Sequence, residues 1–319
     1  MMRSFLISLS KARWAQRLIT HWGFAWQLAS RFVAGERTED AIRVLRELNA
    51  RGINGTLDQL GENTRNRDEA CQASEDLVHL LDEIERSGVR SGISIKLTQI
   101  GLALDEELCR ENLQRILERA AGYHNFVRID IEDSPYVDRT IATYLEMRKR
   151  GFENIGIALQ SYLYRSEADL RNLAAVRPRV RLVKGAYKEP PDIAFPRKSD
   201  VDRNFDQLTD ILLDIALEAG APRISPDGRT PPIPAIATHD EMRIQHAREY
   251  ANKIGLPKDA LEFQMLYGIR RELQDQLAAE GYPVRVYIPY GTHWYPYLMR
   301  RLAERPANLW FFLSNYFRR

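Results

Sequence analysis

Eight short apolar segments alternate with longer charged segments of helical period from about residue 37 onward. Each short segment has the length and β-branched content of a buried strand. Parallel strands need long crossover connections, so this alternation predicts a parallel sheet, and eight such units can close into a barrel. The predicted strands are 53–60, 92–97, 126–131, 155–160, 180–184, 233–238, 261–266 and 284–288.

The intervening segments predict one helix after each strand, with glycines such as Gly151, Gly220 and Gly281 just beyond helix ends. The fold class is therefore α/β, a (βα)8 barrel. An open doubly wound sheet is the alternative, but no Gly-x-Gly-x-x-Gly follows a predicted strand. The predicted helices are 39–50, 68–87, 105–121, 136–150, 166–176, 200–219, 240–253, 269–280 and a last one at 293–304.

Residues 1–36 form a separate amphipathic helical segment before the barrel domain of residues 37–319. Trp14, Leu18, Trp22 and Trp26 recur at intervals of four, which places them on one helix face. We expect a helical cap that packs on the barrel or on a second subunit. Interleaved basic and aromatic residues also suit an anchor at a membrane surface.

Composition excludes several classes of protein. Lys and Arg number 46 against 44 Asp and Glu, a balance that argues against nucleic acid as the main partner. Two cysteines, Cys71 and Cys109, are too few for a disulfide framework or a zinc ribbon. The N-terminus lacks a signal-peptide cleavage site and no run is long enough to span a bilayer. We expect a cytoplasmic protein.

Nearly every predicted strand ends on a polar or ionisable residue, and catalytic groups in such barrels lie at these ends. Lys96 and Lys184 end strands two and five. Lys96 and Lys184 could be catalytic or binding residues, or they could be lysines at strand ends that are simply exposed to solvent. Asp130, Glu132 and Asp133 lie at the end of strand three, where they could bind Mg²⁺ or begin the next helix with favourable charges.

Two adjacent arginines, Arg300 and Arg301, lie within the last predicted helix. They would ordinarily be surface charges. A helix above the barrel mouth could instead aim them inward, where guanidinium groups grip a carboxylate. No zinc site is expected, because His239 and His246 are seven residues apart.

Taken together and in order, the strand-end segments resemble the proline dehydrogenase family in its monofunctional bacterial form, over about residues 37–310. Tyr267 supports that form, since the bifunctional fusions usually have histidine there, and the end at Arg319 leaves no room for a second enzyme. The segments are 96–99 (KLTQ), 128–133 (RIDIED), 159–162 (LQSY), 181–187 (RLVKGAY), 237–239 (ATH), 262–268 (EFQMLYG) and 287–293 (YIPYGTH), followed by Arg300-Arg301.

The resemblance implies a distorted (βα)8 barrel with extra N-terminal helices, a final helix over the mouth, and FAD at the strands' carboxyl ends. The implied reaction oxidises L-proline to Δ1-pyrroline-5-carboxylate. Hydride goes to the flavin and electrons pass to a membrane quinone, which would make peripheral contact with the inner membrane useful. A separate pyrroline-5-carboxylate dehydrogenase would consume the product. Assembly into homo-oligomers stays open.

Residue roles follow from the same resemblance. Asp130 and Arg181 are the expected catalytic residues, and Glu304 is expected to hold Arg300. No strong base is evident, so proline is expected to enter as the neutral amine. Arg197 or Lys198 is a weaker candidate for the FAD phosphates. The expected substrate-binding residues are Lys96, Leu266, Tyr287, Arg300 and Arg301, and the expected cofactor-binding residues are Ile131, Gln160, Arg181, Lys184, Gly185, Ala186, Thr238 and His239.

Two other functions fit a barrel with these strand ends. Lys96 or Lys184 could form a Schiff base in an aldolase or a pyridoxal-phosphate enzyme. Such enzymes usually place phosphate-binding glycines after strands seven and eight, and the loops here, beginning at Gly268 and Gly291, are poor phosphate cradles. A ligand-binding or scaffold barrel without activity is the third alternative.

Overall fold

A computed structural model describes residues 23–61 and 64–304. Its eight strands are all parallel and close into a barrel in sequence order, β1 pairing with both β2 and β8. The predicted fold class is thereby confirmed. The strands are β1 (Asn54–Gln59), β2 (Ser91–Ile95), β3 (Val127–Ile129), β4 (Ile155–Gln160), β5 (Val180–Val183), β6 (Pro234–Ala237), β7 (Glu262–Leu266) and β8 (Val284–Tyr290).

Helices connect successive strands over the outside of the barrel. Most of them begin and end within two residues of the predicted bounds. The helix after β3 begins earlier than predicted because Pro135 fits the first turn, where its missing N–H costs nothing. The helices are α1 (Gly23–Ala29), α2 (Thr38–Ala50), α3 (Arg67–Ser87), α4 (Glu106–Gly122), α5 (Ser134–Lys149), α6 (Ser166–Leu173), α7 (Lys198–Glu218), α8 (Glu241–Ile254), α9 (Arg271–Ala279) and α10 (Trp294–Glu304).

Local sequence sets where several helices begin and end. The side chain of Asn66 accepts a hydrogen bond from the Glu69 N–H at the start of α3, and Asp105 caps α4 in the same way. At the other end of α3, Gly88 adopts a left-handed conformation with φ of 65°. These caps fix the strand–helix junctions and hence the loops at both ends of the barrel.

Strand residues alternate between two environments. Ile93 and Ile95 of β2 pack with the surrounding helices in the main apolar core. Ser94 lies between them on the opposite face, which fills the barrel interior, and donates a hydrogen bond to Asp130. The interior face is polar along much of its length, and this polarity determines what the barrel mouth can bind.

The described part of the N-terminal segment packs against α10. Leu28 and Phe32 share a buried cluster with Trp294 and Leu298, and the ring of Trp26 meets that of Trp294 edge-on at 5.4 Å. Predictions that concern Trp14, Leu18 and Trp22 fall outside the described residues. None of the helices within residues 23–304 that the structure describes is long and apolar enough to cross a membrane.

Candidate active site

A cavity of about 370 Å³ opens at the carboxyl ends of the strands, below α10. The residues that the resemblance assigned to catalysis, to the substrate or to the cofactor line it, apart from the weaker phosphate candidates Arg197 and Lys198. All eight strands or the residues directly after them contribute, together with α10, so one site draws on most of the chain. These residues are Lys96, Asp130, Ile131, Gln160, Arg181, Lys184, Gly185, Ala186, Thr238, His239, Leu266, Tyr287, Arg300 and Arg301.

A charged network occupies the floor of this cavity. The Lys96 Nζ lies 3.0 Å from an Asp58 carboxylate oxygen and 3.4 Å from one of Asp130. The Tyr287 hydroxyl donates to Asp130 at 2.7 Å and lies 3.4 Å from the Lys96 Nζ. All four groups are buried or nearly so, and ion pairs in such an environment are strongly oriented.

Arg181 supplies the second cation of the network. Its Nη1 donates to the Asp130 Oδ1 at 2.6 Å and to the Ser94 hydroxyl at 3.0 Å, and its Nε donates to the Gln264 Oε1 at 2.6 Å. The guanidinium also lies over the Tyr287 ring, 5.1 Å from its centroid. Arg181 is therefore held on three sides.

The two carboxyl groups beside Lys96 respond differently to their surroundings. Burial raises the pKa of Asp58, and the Lys96 cation offsets only part of that effect. Burial acts on Asp130 in the same direction, but Lys96 and Arg181 together bring its pKa below the ordinary value. Burial and the Asp130 charge raise the pKa of Tyr287, which stays a neutral phenol.

The loop after β5 forms one wall. Lys184 pairs with Asp202 at 2.5 Å and with Asp240 at 2.7 Å. Gly185 follows with φ of 127°, and a Cβ there would lie 2.4 to 2.6 Å from Tyr162 ring atoms. Only glycine therefore lets the chain turn this closely over the aromatic ring.

Oε1 of Gln160 and Nη2 of Arg181 are buried polar atoms at the cavity that lack a hydrogen-bond partner among the described residues. The Gln160 amide donates to the backbone carbonyl of Glu132 at 2.8 Å, which fixes its orientation. Across the cavity, the Leu266 N–H donates to Nε2 of His239, so this ring nitrogen acts as an acceptor. Buried polar groups left open in this way point to a bound polar molecule.

Helix α10 brings Tyr297, Arg300 and Arg301 to the same cavity. The Arg301 guanidinium lies over the Tyr297 ring, 5.2 Å from its centroid, and both arginines are half-buried. The two predicted positions of Arg300 and Arg301, surface or mouth, are thus resolved in favour of the mouth. The side chain of Glu304, predicted to hold Arg300, lies outside what the structure describes.

The structure keeps the weaker phosphate candidates away from the cavity lining. Lys198 forms an ion pair with Asp202, and exposed Arg197 pairs with Asp200 at 2.7 Å. Neither Lys198 nor Arg197 lines the cavity.

Sequence reasoning missed Asp58 and Gln264 as parts of the site. Asp58 is the next-to-last residue of β1 and lies on the interior face, two residues after Thr56, and the period-two alternation was sufficient to place it there. Gln264 stood in a recognised segment without a role. Its contact with Arg181 joins strands that are not neighbours, and alternation within one strand does not predict such a contact.

A closed (βα)8 barrel with ion-paired side chains gathered at the carboxyl ends of its strands defines a barrel enzyme. Residues 41–312 match the family model described as "Proline dehydrogenase". The chain belongs to the proline dehydrogenase family, whose members are oxidoreductases acting on the CH–NH group of proline.

The relatives agree with this assignment. The chain is 43% identical to the proline dehydrogenase of Deinococcus radiodurans over 89% of its own length and 88% of the relative's. It is 37% identical to proline dehydrogenase 2 of Bacillus subtilis, over 97% and 96%. Because both are covered almost completely, the chain resembles the monofunctional enzymes.

A solved structure shows the same fold. The chain superposes on proline utilization A (PutA) of Bdellovibrio bacteriovorus, inactivated by N-propargylglycine, with a TM-score of 0.78 and 24% identity. The match covers 87% of this chain and 32% of the longer protein, so the chain spans about a third of that structure's length.

Proposed function

We propose that this chain oxidises L-proline to Δ1-pyrroline-5-carboxylate with FAD as its cofactor. The observation that carries the proposal is one cavity lined by two kinds of group. Lys96, Arg300 and Arg301 supply positive charge for a carboxylate, while Gln160 and Arg181 present open hydrogen-bonding atoms.

The residues present fit a flavin. A buried amide oxygen such as that of Gln160 can accept from a ring N–H, and Nη2 of Arg181 can donate to a ring acceptor. Close passage of the chain at Gly185 leaves room for a flat group beside Lys184 and Ala186. When bound, FAD would supply the hydride acceptor, and a fixed cation beside it favours the reduced, more negative form.

Substrate binding rests on the arginines of α10 together with Lys96. We assign the proline carboxylate to Arg300 and Arg301, because planar guanidinium groups match a carboxylate in two places. Tyr287 and Leu266 are positioned at the same cavity to pack against the pyrrolidine ring. The carboxylates of Asp58 and Asp130 reduce repulsion among these cations.

Asp130 acts by orientation in this proposal. Its lowered pKa makes it a weak base, and its two oxygens accept from Arg181, Ser94 and Tyr287. Proline is expected to enter as the neutral amine, so that oxidation depends on placement more than on proton removal. A pH profile of turnover without a limb from substrate amine ionisation would contradict this part.

The lysine arrangement disfavours Schiff-base chemistry. A lysine nucleophile must be a neutral amine. Lys96 lies between Asp58 and Asp130, and Lys184 between Asp202 and Asp240, as suits charged ammonium groups.

Partners and location extend the proposal. We infer a membrane quinone as the electron acceptor and a separate pyrroline-5-carboxylate dehydrogenase as the consumer of the product. The relatives of similar length, which carry the name proline dehydrogenase, support an enzyme with one activity. A cytoplasmic protein with peripheral contact at the inner membrane would reach a lipid-soluble acceptor.

The test is the visible spectrum of the purified protein under anaerobic conditions, before and after L-proline. A flavin spectrum that L-proline bleaches is the expected result. A flavin spectrum that L-proline leaves unchanged would retain the cofactor and remove proline as substrate. A protein that stays colourless after incubation with FAD would overturn the proposal, and an aldimine absorbance would favour the Schiff-base alternative.

A further inference from the structure

The barrel interior below the cavity is filled by charged and amide side chains. Glu262, Arg285 and Gln264 are at most 3% exposed. Barrel interiors of this class are ordinarily packed with bulky aliphatic residues. Buried ion pairs contribute little net stability compared with apolar packing, so an interior of this kind calls for another role.

These side chains form a continuous hydrogen-bonded relay. The Arg285 Nε donates to Glu262 at 3.0 Å, and the Gln264 Nε2 donates to the same carboxylate oxygen at 2.5 Å. The Gln264 Oε1 then accepts from Arg181, which pairs with Asp130, at 2.6 Å in both contacts. The relay therefore runs from the buried interior to the substrate cavity.

The relay is anchored at its lower end by backbone. Arg285 donates from Nη1 to the carbonyl of Gly55 and from Nη2 to that of Gly228, each at 2.7 Å. Its Nε side faces Glu262 at both carboxylate oxygens. Arg285 is thus held on every edge, and the position of the Glu262 carboxylate is set with it.

The Glu262 carboxylate also sets the orientation of the Gln264 amide. A carboxylate only accepts, so the Gln264 NH₂ group must face Glu262 and its carbonyl oxygen must face Arg181. That carbonyl and the Asp130 oxygen hold two edges of the Arg181 guanidinium. The remaining nitrogen, Nη2, is the one without a hydrogen-bond partner among the described residues.

We propose that Gln264 is a positioning residue: oriented by Glu262 and Arg285, its amide holds the Arg181 guanidinium in the plane that serves both Asp130 and the cofactor. The inference rests on the proposed function for the nature of the ligand that Arg181 meets. In this proposal the role of the charged barrel interior is to fix the orientation of the Arg181 guanidinium.

The test compares Gln264→Met with the wild-type protein. Methionine has a similar length, and its thioether sulfur is only a weak acceptor for the Arg181 N–H. We expect kcat for L-proline to fall about tenfold, an effect of about 1.4 kcal/mol, with KM changed much less. The midpoint potential of the bound flavin, measured by reductive titration without proline, should shift to a more negative value.

Thr209→Val is the matched control, because Thr209 is buried in α7 and donates one hydrogen bond to the Phe205 carbonyl at 2.8 Å. It removes a buried hydrogen bond away from the relay and should leave the potential unchanged. A Gln264→Met protein with wild-type potential and kcat would overturn the inference. A wild-type flavin unaffected by proline would refute the proposed function, yet the comparison of potentials would still decide the role of Gln264.

An exchange of the two groups gives an independent test. Gln264→Glu places two carboxylates side by side, so its kcat should fall further as rising pH ionises both. The double variant Glu262→Gln/Gln264→Glu restores one amide and one carboxylate and still offers Arg181 an acceptor. We expect it to recover much of the lost activity and the wild-type pH profile. A double variant no better than the single one would contradict the relay.

Discussion

Nη1 of Arg181 in β5 lies 2.6 Å from Oδ1 of Asp130, which directly follows β3, although β4 separates the two strands. The ion pair therefore crosses the barrel interior. It joins the group assigned to the cofactor with the group that orients Lys96 and Tyr287. A displacement of Arg181 or Asp130 would therefore move groups on both the cofactor side and the substrate side of the cavity.

Asp130→Asn should destabilise the protein, because Lys96 and Arg181 lose their shared anion. Removing one partner of a buried ion pair costs about 3–5 kcal/mol. The lowered pKa of Asp130 means that its stabilisation is complete above the unfolded-state pKa of about 3.9 and is lost as pH falls through the folded value. Denaturant unfolding of the wild type and of Asp130→Asn should give free energies of unfolding whose difference decreases below about pH 4. A difference that does not depend on pH would contradict the lowered pKa of Asp130.

Asp58→Asn should change stability in the direction opposite to Asp130→Asn. The raised pKa of Asp58 means that the folded state binds this proton more tightly than the unfolded chain does, so stability is lost as pH rises through the folded pKa. Lys96 keeps Asp130 and Tyr287 as partners in the variant. Thermal unfolding at pH 7 should therefore show equal or higher stability than wild type, with the advantage absent in acid. A clear loss of stability at pH 7 would show that the Lys96 pair outweighs burial.

Tyr287→Phe removes the hydroxyl that donates to Asp130 and keeps the ring against Arg181. A hydrogen bond to a charged group contributes about 1.5–3 kcal/mol, so kcat/KM for L-proline should fall roughly ten- to a hundredfold. Tyr290→Phe is the control, since its hydroxyl contacts Gln59 at 3.4 Å and the residue is not part of the cavity lining. Equal effects of the two variants would remove the Asp130 contact as the cause.

Arg301→Lys should retain the flavin and raise the KM for L-proline by about tenfold or more, because a point charge cannot replace a planar fork. Arg115→Lys, an exposed substitution on α4, serves as the control for arginine replacement in general. Steady-state kinetics measure both. An unchanged KM in Arg301→Lys would remove this residue from the carboxylate site.

Tyr287→Ser should widen the pocket and favour larger ring analogues of proline, because it removes the ring that lines the cavity. The ratio of kcat/KM for a six-membered analogue to that for L-proline should increase. Tyr290→Ser gives the comparison for loss of a buried tyrosine on the same strand. Selectivity that stays at the wild-type value would place Tyr287 away from the substrate ring.

Gly185→Ala should weaken flavin binding, because the added Cβ meets the Tyr162 ring and the backbone at φ of 127° disfavours any side chain. Gly151→Ala is a close control: its φ is 93° and nothing lies within 4 Å of an added Cβ. Flavin occupancy, measured by absorbance against protein concentration, should fall in the first variant and stay near wild type in the second. Occupancy lost equally in both would point to general backbone strain.

Period and spacing predicted the barrel closely, since each strand–helix unit is specified within about thirty-five residues of sequence. Strand β4 agrees with the predicted residues 155–160 at both ends. Strand β3 is shorter than predicted and ends at Ile129, yet Asp130 still donates its N–H to Ile95 across the barrel wall. Where a strand ends depends on hydrogen bonds to the neighbouring strands, and the local sequence carries no information about these bonds.

The site was predicted as a set of residues, and the tertiary structure decided how they are connected. That Lys96, Asp130 and Arg181 belong to one site follows from their places at strand ends, which a closed barrel brings together. That Asp58 shares Lys96, and that Gln264 holds Arg181, depends on contacts between strands 38 and 83 residues apart in sequence.

The amino-acid sequence alone determined the order of strands and helices, the closed barrel and the polar strand ends, because alternation and helical period are local properties of the chain. Only the tertiary structure decided which carboxylate is favoured as an anion. Asp58 and Asp130 are the same residue type beside the same lysine, and their pKa values move in opposite directions. Arg181, which closure of the barrel brings to Asp130 from a strand that does not pair with β3, lowers the pKa of Asp130, and the Asp130 charge in turn raises the pKa of Asp58.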